Sequence, residues 1–132
     1  MPTVNEWLAV AGGGAVGASL RFSAFLMAQR YLPRDFPWGT LLVNVIGSAL
    51  IGVAFVLLIE RGLVSPVWRS FLTVGLLGAF TTFSAFSLEA VGFIHAGEVL
   101  RAGLYILLSV MLCIVVAMLA IWVTRALAGI PG

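Results

Sequence analysis

The chain has 132 residues, 62% of them hydrophobic and 9% charged, with a mean hydropathy of +1.18. Soluble domains carry about a quarter charged residues, so this is the composition of a membrane protein with room for one domain. The seven basic residues are all arginines, scattered against five acids, and not clustered as nucleic-acid binding requires. The single cysteine, Cys113, lies in a hydrophobic run and offers neither a disulfide nor a thiolate metal site. Residues 1–20 do not read as a cleaved signal peptide, because Glu6 stands where a basic n-region belongs.

The first span, about 7–30, is hydrophobic but interrupted by Arg21. Its "AGGGAVGAS" stretch places Gly13 and Gly17 for close helix packing. After the link "RYLPRDFPW", the second span (39–59) is uncharged. Thr40, Asn44 and Ser48 recur along one of its faces at i, i+4 and i+8, and Gly47 and Gly52 give close-packing positions. The link "ERGLVSPVWR" leads to the third span, 70–94, which is uncharged as far as residue 88. There "TTFSAFS" (81–87) sets Phe83 and Phe86 three apart, with Ser84 and Ser87 on an adjoining face. "HAGEVLR" precedes the fourth span, 102–124, where Tyr105, Ser109 and Cys113 again recur at i, i+4 and i+8. Each span is close to the ~20 residues that cross ~30 Å of hydrocarbon. Trp7, Trp38, Trp68 and Trp122 fall near span ends, as an interfacial aromatic belt requires. The predicted fold is all-α, with four transmembrane helices and no internal repeat.

The links carry an even charge balance. Arg61, Arg69 and Arg125 fall on one side and Arg30, Arg34 and Arg101 on the other, so the positive-inside rule has no preference. Either an unseen signal orients the chain, or it inserts both ways and pairs antiparallel. A four-helix bundle fills its own centre with side chains, so a polar pathway is expected at a dimer interface.

Taken singly, each polar stripe reads as interhelical hydrogen bonding worth ~0.6–2 kcal/mol per contact. Three stripes on three helices of so short a chain point to a lined pathway. Carboxylates usually serve cations and protons within membranes, yet the first, second and fourth spans have none. The stripes offer hydroxyls and the Asn44 carboxamide, which are donors. Phenylalanine rings have a positive edge, so Phe83 and Phe86 can contact an anion edge-on, although an isolated pair at this spacing is usually plain packing. Such contacts are weak, and conduction requires weak, repeated sites.

On "GGGAVGASLRF", "PWGTLLVNVIGSALIG", "GLLGAFTTFSAFSLE" and "YILLSVMLC", in that order along the whole chain, the sequence resembles the Fluc (CrcB) family of fluoride channels. The resemblance implies a passive fluoride-selective channel of the inner membrane. It also implies a dual-topology antiparallel homodimer with two pores and a third helix broken in its middle. Phe83 and Phe86 match the ring pair that coordinates fluoride, and Asn44 matches a donor to the ion. Tyr105 and Ser109 fall on the polar track of the fourth span, with Thr82 and Ser84 beside the rings. Gly78 and Thr81 match the break whose backbone carbonyls bind a structural Na⁺, Arg21 the basic residue of the first span, and Glu89 the acid after the ring motif. Ala79, Ala85 and Cys113 depart from the family pattern, and the thiol is a weaker donor than a hydroxyl.

The residues support the break on their own account: Gly78 tolerates unwinding, and Thr81 and Thr82 can cap a restarted helix. Exposed carbonyls there suit Na⁺, and the new N-terminus is electropositive. Arg21 lies ~21 Å along a helix from Trp7. It can therefore snorkel to the far boundary as a structural residue, or serve a vestibule that concentrates anions. Two rival classes are a small dual-topology multidrug transporter, which needs an acid where this first span has Arg21, and a non-transporting membrane scaffold. No hydrolytic or redox constellation appears, and His95 beside Glu98 reads as a solvated link residue, so no enzyme is expected. Reporter fusions at the C-terminus are expected to read out on both sides of the membrane; one clear orientation contradicts dual topology.

Overall fold

In the computed structural model, which describes residues 1–130, every regular element is helical. Helix α1 spans Val4–Tyr31. Its start is a capping box: the Thr3 hydroxyl accepts from the Glu6 amide at 3.3 Å, and the Glu6 carboxylate accepts from the Thr3 amide at 2.7 Å. The helix stops at Leu32, which turns extended before Pro33. Helix α2, Trp38–Glu60, starts directly after Pro37 and widens over Phe55–Glu60, where Arg61 N reaches back five residues to Val56 O at 3.0 Å.

Helix α3 (66–80) has Pro66 in its first turn, where a missing N–H costs nothing. Over Ser70–Leu77 it too is wide, and the Gly78 amide bonds to Thr73 O. Such wide turns concentrate at functional sites. Thr81 and Thr82 then adopt extended backbone, and α4 (Phe83–His95) restarts the same span. Gly97, with φ 78°, makes the turn into α5 (Val99–Leu127); that left-handed conformation favours glycine. Four spans long and apolar enough to cross a membrane result: Val4–Tyr31, Trp38–Glu60, Pro66–His95 with its break, and Val99–Leu127. The third is therefore interrupted, as expected of a broken helix. The helices overrun the hydrophobic stretches by a few residues at their ends, where caps such as Thr3 and basic last-turn residues such as Arg30 and Arg125 sustain helical turns.

Lipid tails are as apolar as leucine, so backbone proximity, not hydrophobic exclusion, holds such helices together. Helices α1 and α3 meet glycine to glycine: a methyl on Gly13 would strike Phe71 O, one on Gly17 would strike Leu76 O, and one on Gly75 would strike Val10 O. On the other side Gly52 of α2 approaches Ala117 O and Ala120 of α5. The small core holds Thr40, Val43, Val56 and Tyr105, while long apolar side chains from every span face outward. Ion pairs tie the ends: Arg125 grips Glu60 at one, and at the other Arg101 bonds Glu98 Oε2 at 2.6 Å and Asp35 O at 2.7 Å.

Gly17→Ala is expected to lower unfolding stability in detergent by about 1–3 kcal/mol, the cost of overpacking. Gly14→Ala, where nothing lies within 4 Å of the added methyl, serves as the near-neutral control in the same melt.

Candidate ion pathway

The break at Thr81–Thr82 organises the site. Thr82 is extended (φ −150°, ψ 116°), so its N–H and C=O point to the same side. The Asn44 carboxamide of α2 meets both: Oδ1 accepts from Thr82 N at 2.7 Å and Nδ2 donates to Thr82 O at 2.9 Å. The Thr82 hydroxyl caps α4 by accepting from Ala85 N at 3.2 Å. These two bonds have a consequence upstream. In an unbroken helix Thr82 N would bond Gly78 O and Ala85 N would bond Thr81 O. Both amides are diverted to side chains, so both carbonyls lose their helical donors. Arg21 of α1 donates to Thr81 O at 3.3 Å.

The donor set at Gly78 and Thr81 is thus neutral peptide oxygen, the chemistry that coordinates Na⁺ at unwound membrane helices. Among the described residues no group of three or more His, Cys, Asp or Glu side chains gathers as an alternative metal site.

A cavity of about 520 Å³ opens beside the break between α2, α3, α4 and α5. Asn44, Thr81, Thr82, Phe83, Phe86 and Ser109 line it, and Gly78, Ser48 and Cys113 reach it as well. Phe83 is the first residue of α4, so its ring stands at the electropositive end of that helix, 5.4 Å from the Phe86 ring. The two rings differ in setting: Phe86 is 8% exposed, whereas Phe83 is 77% exposed on the open side of the cavity. Ser109, only 6% exposed, has a buried hydroxyl with no protein partner. A buried, unspent hydroxyl is costly unless something else meets it.

The other predicted residues lie elsewhere. Ser84 turns from the ring cavity to a second one that it shares with Arg21 and Thr82, and its hydroxyl lies 3.3 Å from that of Thr82. Thr82 therefore borders both cavities. Glu89 lies past the rings, in a third cavity with Thr40 under the 33–39 link. Its carboxyl group is held from two sides: Thr40 Oγ1 donates to Oε1 and Tyr105 Oη donates to Oε2, each at 2.7 Å. Tyr105, fully buried, is packed against Phe86, Phe36 and Phe93 at ring-centroid distances of 5.3, 5.4 and 6.0 Å. Phe36, Phe93 and the Arg101 clasp escape sequence reasoning, because they lie in or beside the links, where no periodicity marks them. Thr40 belongs to a visible polar stripe, yet its partner Glu89 is 49 residues away.

Four apolar spans, one of them broken at an Asn-held threonine pair with neutral donors and paired rings around it, define a polytopic membrane protein. The family model described as "CrcB-like protein, Camphor Resistance (CrcB)" matches residues 8–121. The chain is 46% identical over 123 residues to a "Fluoride-specific ion channel FluC" from Hyphomonas neptunium, covering 92% of this chain and 97% of that one. It is 44% identical over 116 residues to a protein of the same name from Shewanella amazonensis (88% and 93% covered). With another of that name, from Idiomarina loihiensis, it shares 49% over 109 residues (83% and 84%). The chain belongs to the CrcB family.

Tyr105→Phe removes the donor to Glu89 Oε2 and is expected to cost about 1.5–3 kcal/mol, the value of a hydrogen bond to a charged group. A double-mutant cycle with Glu89→Gln, read by unfolding in detergent, is expected to show coupling of the two positions; additivity contradicts the pairing.

Proposed function

We propose that the chain is a passive fluoride-selective channel of the inner membrane that lets cytoplasmic fluoride out, working as an antiparallel dual-topology homodimer with two pathways. Family membership and the names of the relatives support fluoride as the ion. The observation that carries the pathway is the buried, unpartnered Ser109 hydroxyl facing the same cavity as Phe83, Phe86 and Asn44.

Fluoride sheds water reluctantly, so the lining must replace hydration without holding the ion. The N-terminus of α4, and the guanidinium of Arg21 on the far side of the break, raise the local potential that an anion meets. Ser109 offers a hydroxyl proton, and Asn44 has one Nδ2 proton left after its bond to Thr82. The edges of Phe83 and Phe86 add weak positive contacts. Beyond the rings, the Thr40 and Tyr105 hydroxyls donate to Glu89, damping the negative charge that a passing anion meets. Arg21 lines the neighbouring cavity and not the one with the rings, so no full cation stands on the path itself and each site stays weak enough to leave. The exposed Phe83 and the open flank of the cavity are what a second copy would cover, completing each path at a seam between chains. A sodium ion at the break would be held by the Gly78 and Thr81 carbonyls and would supply fixed positive potential on the dimer axis, outside the pores.

In this reading no enzyme activity is expected, and the multidrug-transporter and scaffold alternatives are set aside. The first span has no embedded acid for proton exchange, and a scaffold has no use for unspent donors. Purified protein in liposomes is expected to release fluoride, read by an ion-selective electrode, without a proton gradient and far faster than chloride. Phe83→Ile and Phe86→Ile should each slow release at least about tenfold, equivalent to ~1.4 kcal/mol of barrier, with dimers intact by size. Unchanged release in both variants refutes the ring pathway.

A further inference from the structure

We propose that Asn44 is a positioning residue for the cation site: it holds Thr82 extended, which frees Gly78 O directly and keeps Thr81 O, shared with Arg21, out of the helical ladder for a monovalent cation. The proposal rests on the reading of the break as a sodium site.

The geometry is selective for the broken state. In a helix the N–H and C=O of one residue point in opposite directions along the axis; in an extended residue they point the same way. Only extended Thr82 can therefore offer both groups to one side chain, and Asn44 takes both, at 2.7 and 2.9 Å. A side chain that bonds one conformation twice and the alternative at most once shifts the equilibrium toward the first. Each of these bonds also withdraws Thr82 from the helical ladder, and the amide so removed is the one that would close onto Gly78 O.

The neighbouring turn of α2 completes the socket. Gly47, one turn on from Asn44, presents bare backbone where a Cβ would collide with the Thr81 methyl. Thr81 is seated further by its hydroxyl, which donates to Leu77 O at 3.1 Å. Asn44 and Gly47 together receive the two broken residues as one unit. The Thr81 carbonyl is left to Arg21 and to any cation that shares it.

The test reads the cation site without measuring flux. Thermal unfolding of the purified wild-type chain in detergent is followed as NaCl replaces choline chloride at constant ionic strength. The wild type is expected to gain stability with sodium. Asn44→Ala is expected to need about tenfold more sodium for the same gain, as losing one or two neutral hydrogen bonds implies. Asn44→Gln keeps a carboxamide displaced by one methylene, tolerates folding if Ala does not, and should fall between the two. An equal sodium midpoint in wild type and in either variant that folds overturns the role of Asn44 and leaves the sodium site standing. A wild type indifferent to sodium overturns the proposal through its premise, whatever the variants do.

Discussion

A span that stops being helical in the middle of a bilayer must satisfy its freed backbone groups from within the protein, since hydrocarbon offers none. The pairing of Asn44 with Thr82 is how this chain meets that constraint. Two bonds from one carboxamide, a cap from the Thr82 hydroxyl and an arginine on Thr81 O account for most of the polar groups that the break releases. What is left over is useful: two carbonyls without helical donors, a helix N-terminus pointing into a cavity, and a phenylalanine fixed at the first position of that helix. Lose the bracket, and the third span has every reason to run straight.

The second constraint is the acid. A carboxyl group at Glu89, within a transmembrane helix, is expensive unless it is met by donors. Thr40 and Tyr105 meet it, and the rings of Phe36, Phe86 and Phe93 fix Tyr105 in turn. Phe86 therefore works twice, as one of the paired rings and as a wall of the tyrosine's pocket. Arg101 carries the order outward, lying over Phe93 at 5.5 Å while bonding the Asp35 backbone and Glu98. The 33–39 link is thereby tied to the start of α5, and the cavity beneath it keeps its shape.

Much of this was legible in the residues. Four spans follow from hydropathy and length, and the break, implied by the family resemblance, is supported by a glycine ahead of two threonines. The glycine contacts follow from small residues spaced along α1 and α2. Periodicity also found Thr40, Asn44 and Ser109, because a helix puts every fourth residue on one face. It could not say what those side chains touch. Asn44 reads as a free donor, yet its Oδ1 and one of its two Nδ2 protons are committed to Thr82; Tyr105 reads as a lining hydroxyl, yet its proton goes to Glu89. Ser84 reads as a neighbour of the rings, yet α4 begins at Phe83 and turns it toward Arg21. In each case the partner lies on another helix, and spacing along one chain contains no information about register between helices.

Under the proposed antiparallel pairing the chain taken singly is an incomplete object, and the reason is physical. Phe86 is buried by its own chain while Phe83, one turn away, is left almost bare, and the cavity between them has a wall missing. A lipid tail could cover the bare ring but could not satisfy Ser109, since hydrocarbon has no acceptor or donor to give it. A second protein surface, or an ion with its residual water, can do so. Antiparallel pairing suits a chain whose link arginines divide three against three, because neither orientation is then disfavoured. The same pairing would bring two breaks together about one axis, so that carbonyls too few in one copy to enclose a cation become sufficient in two. On the proposed pairing the broken helix, the neutral donors and the balanced arginines are parts of one arrangement: each is a liability in a solitary chain and would become functional where an inverted copy supplied what is missing.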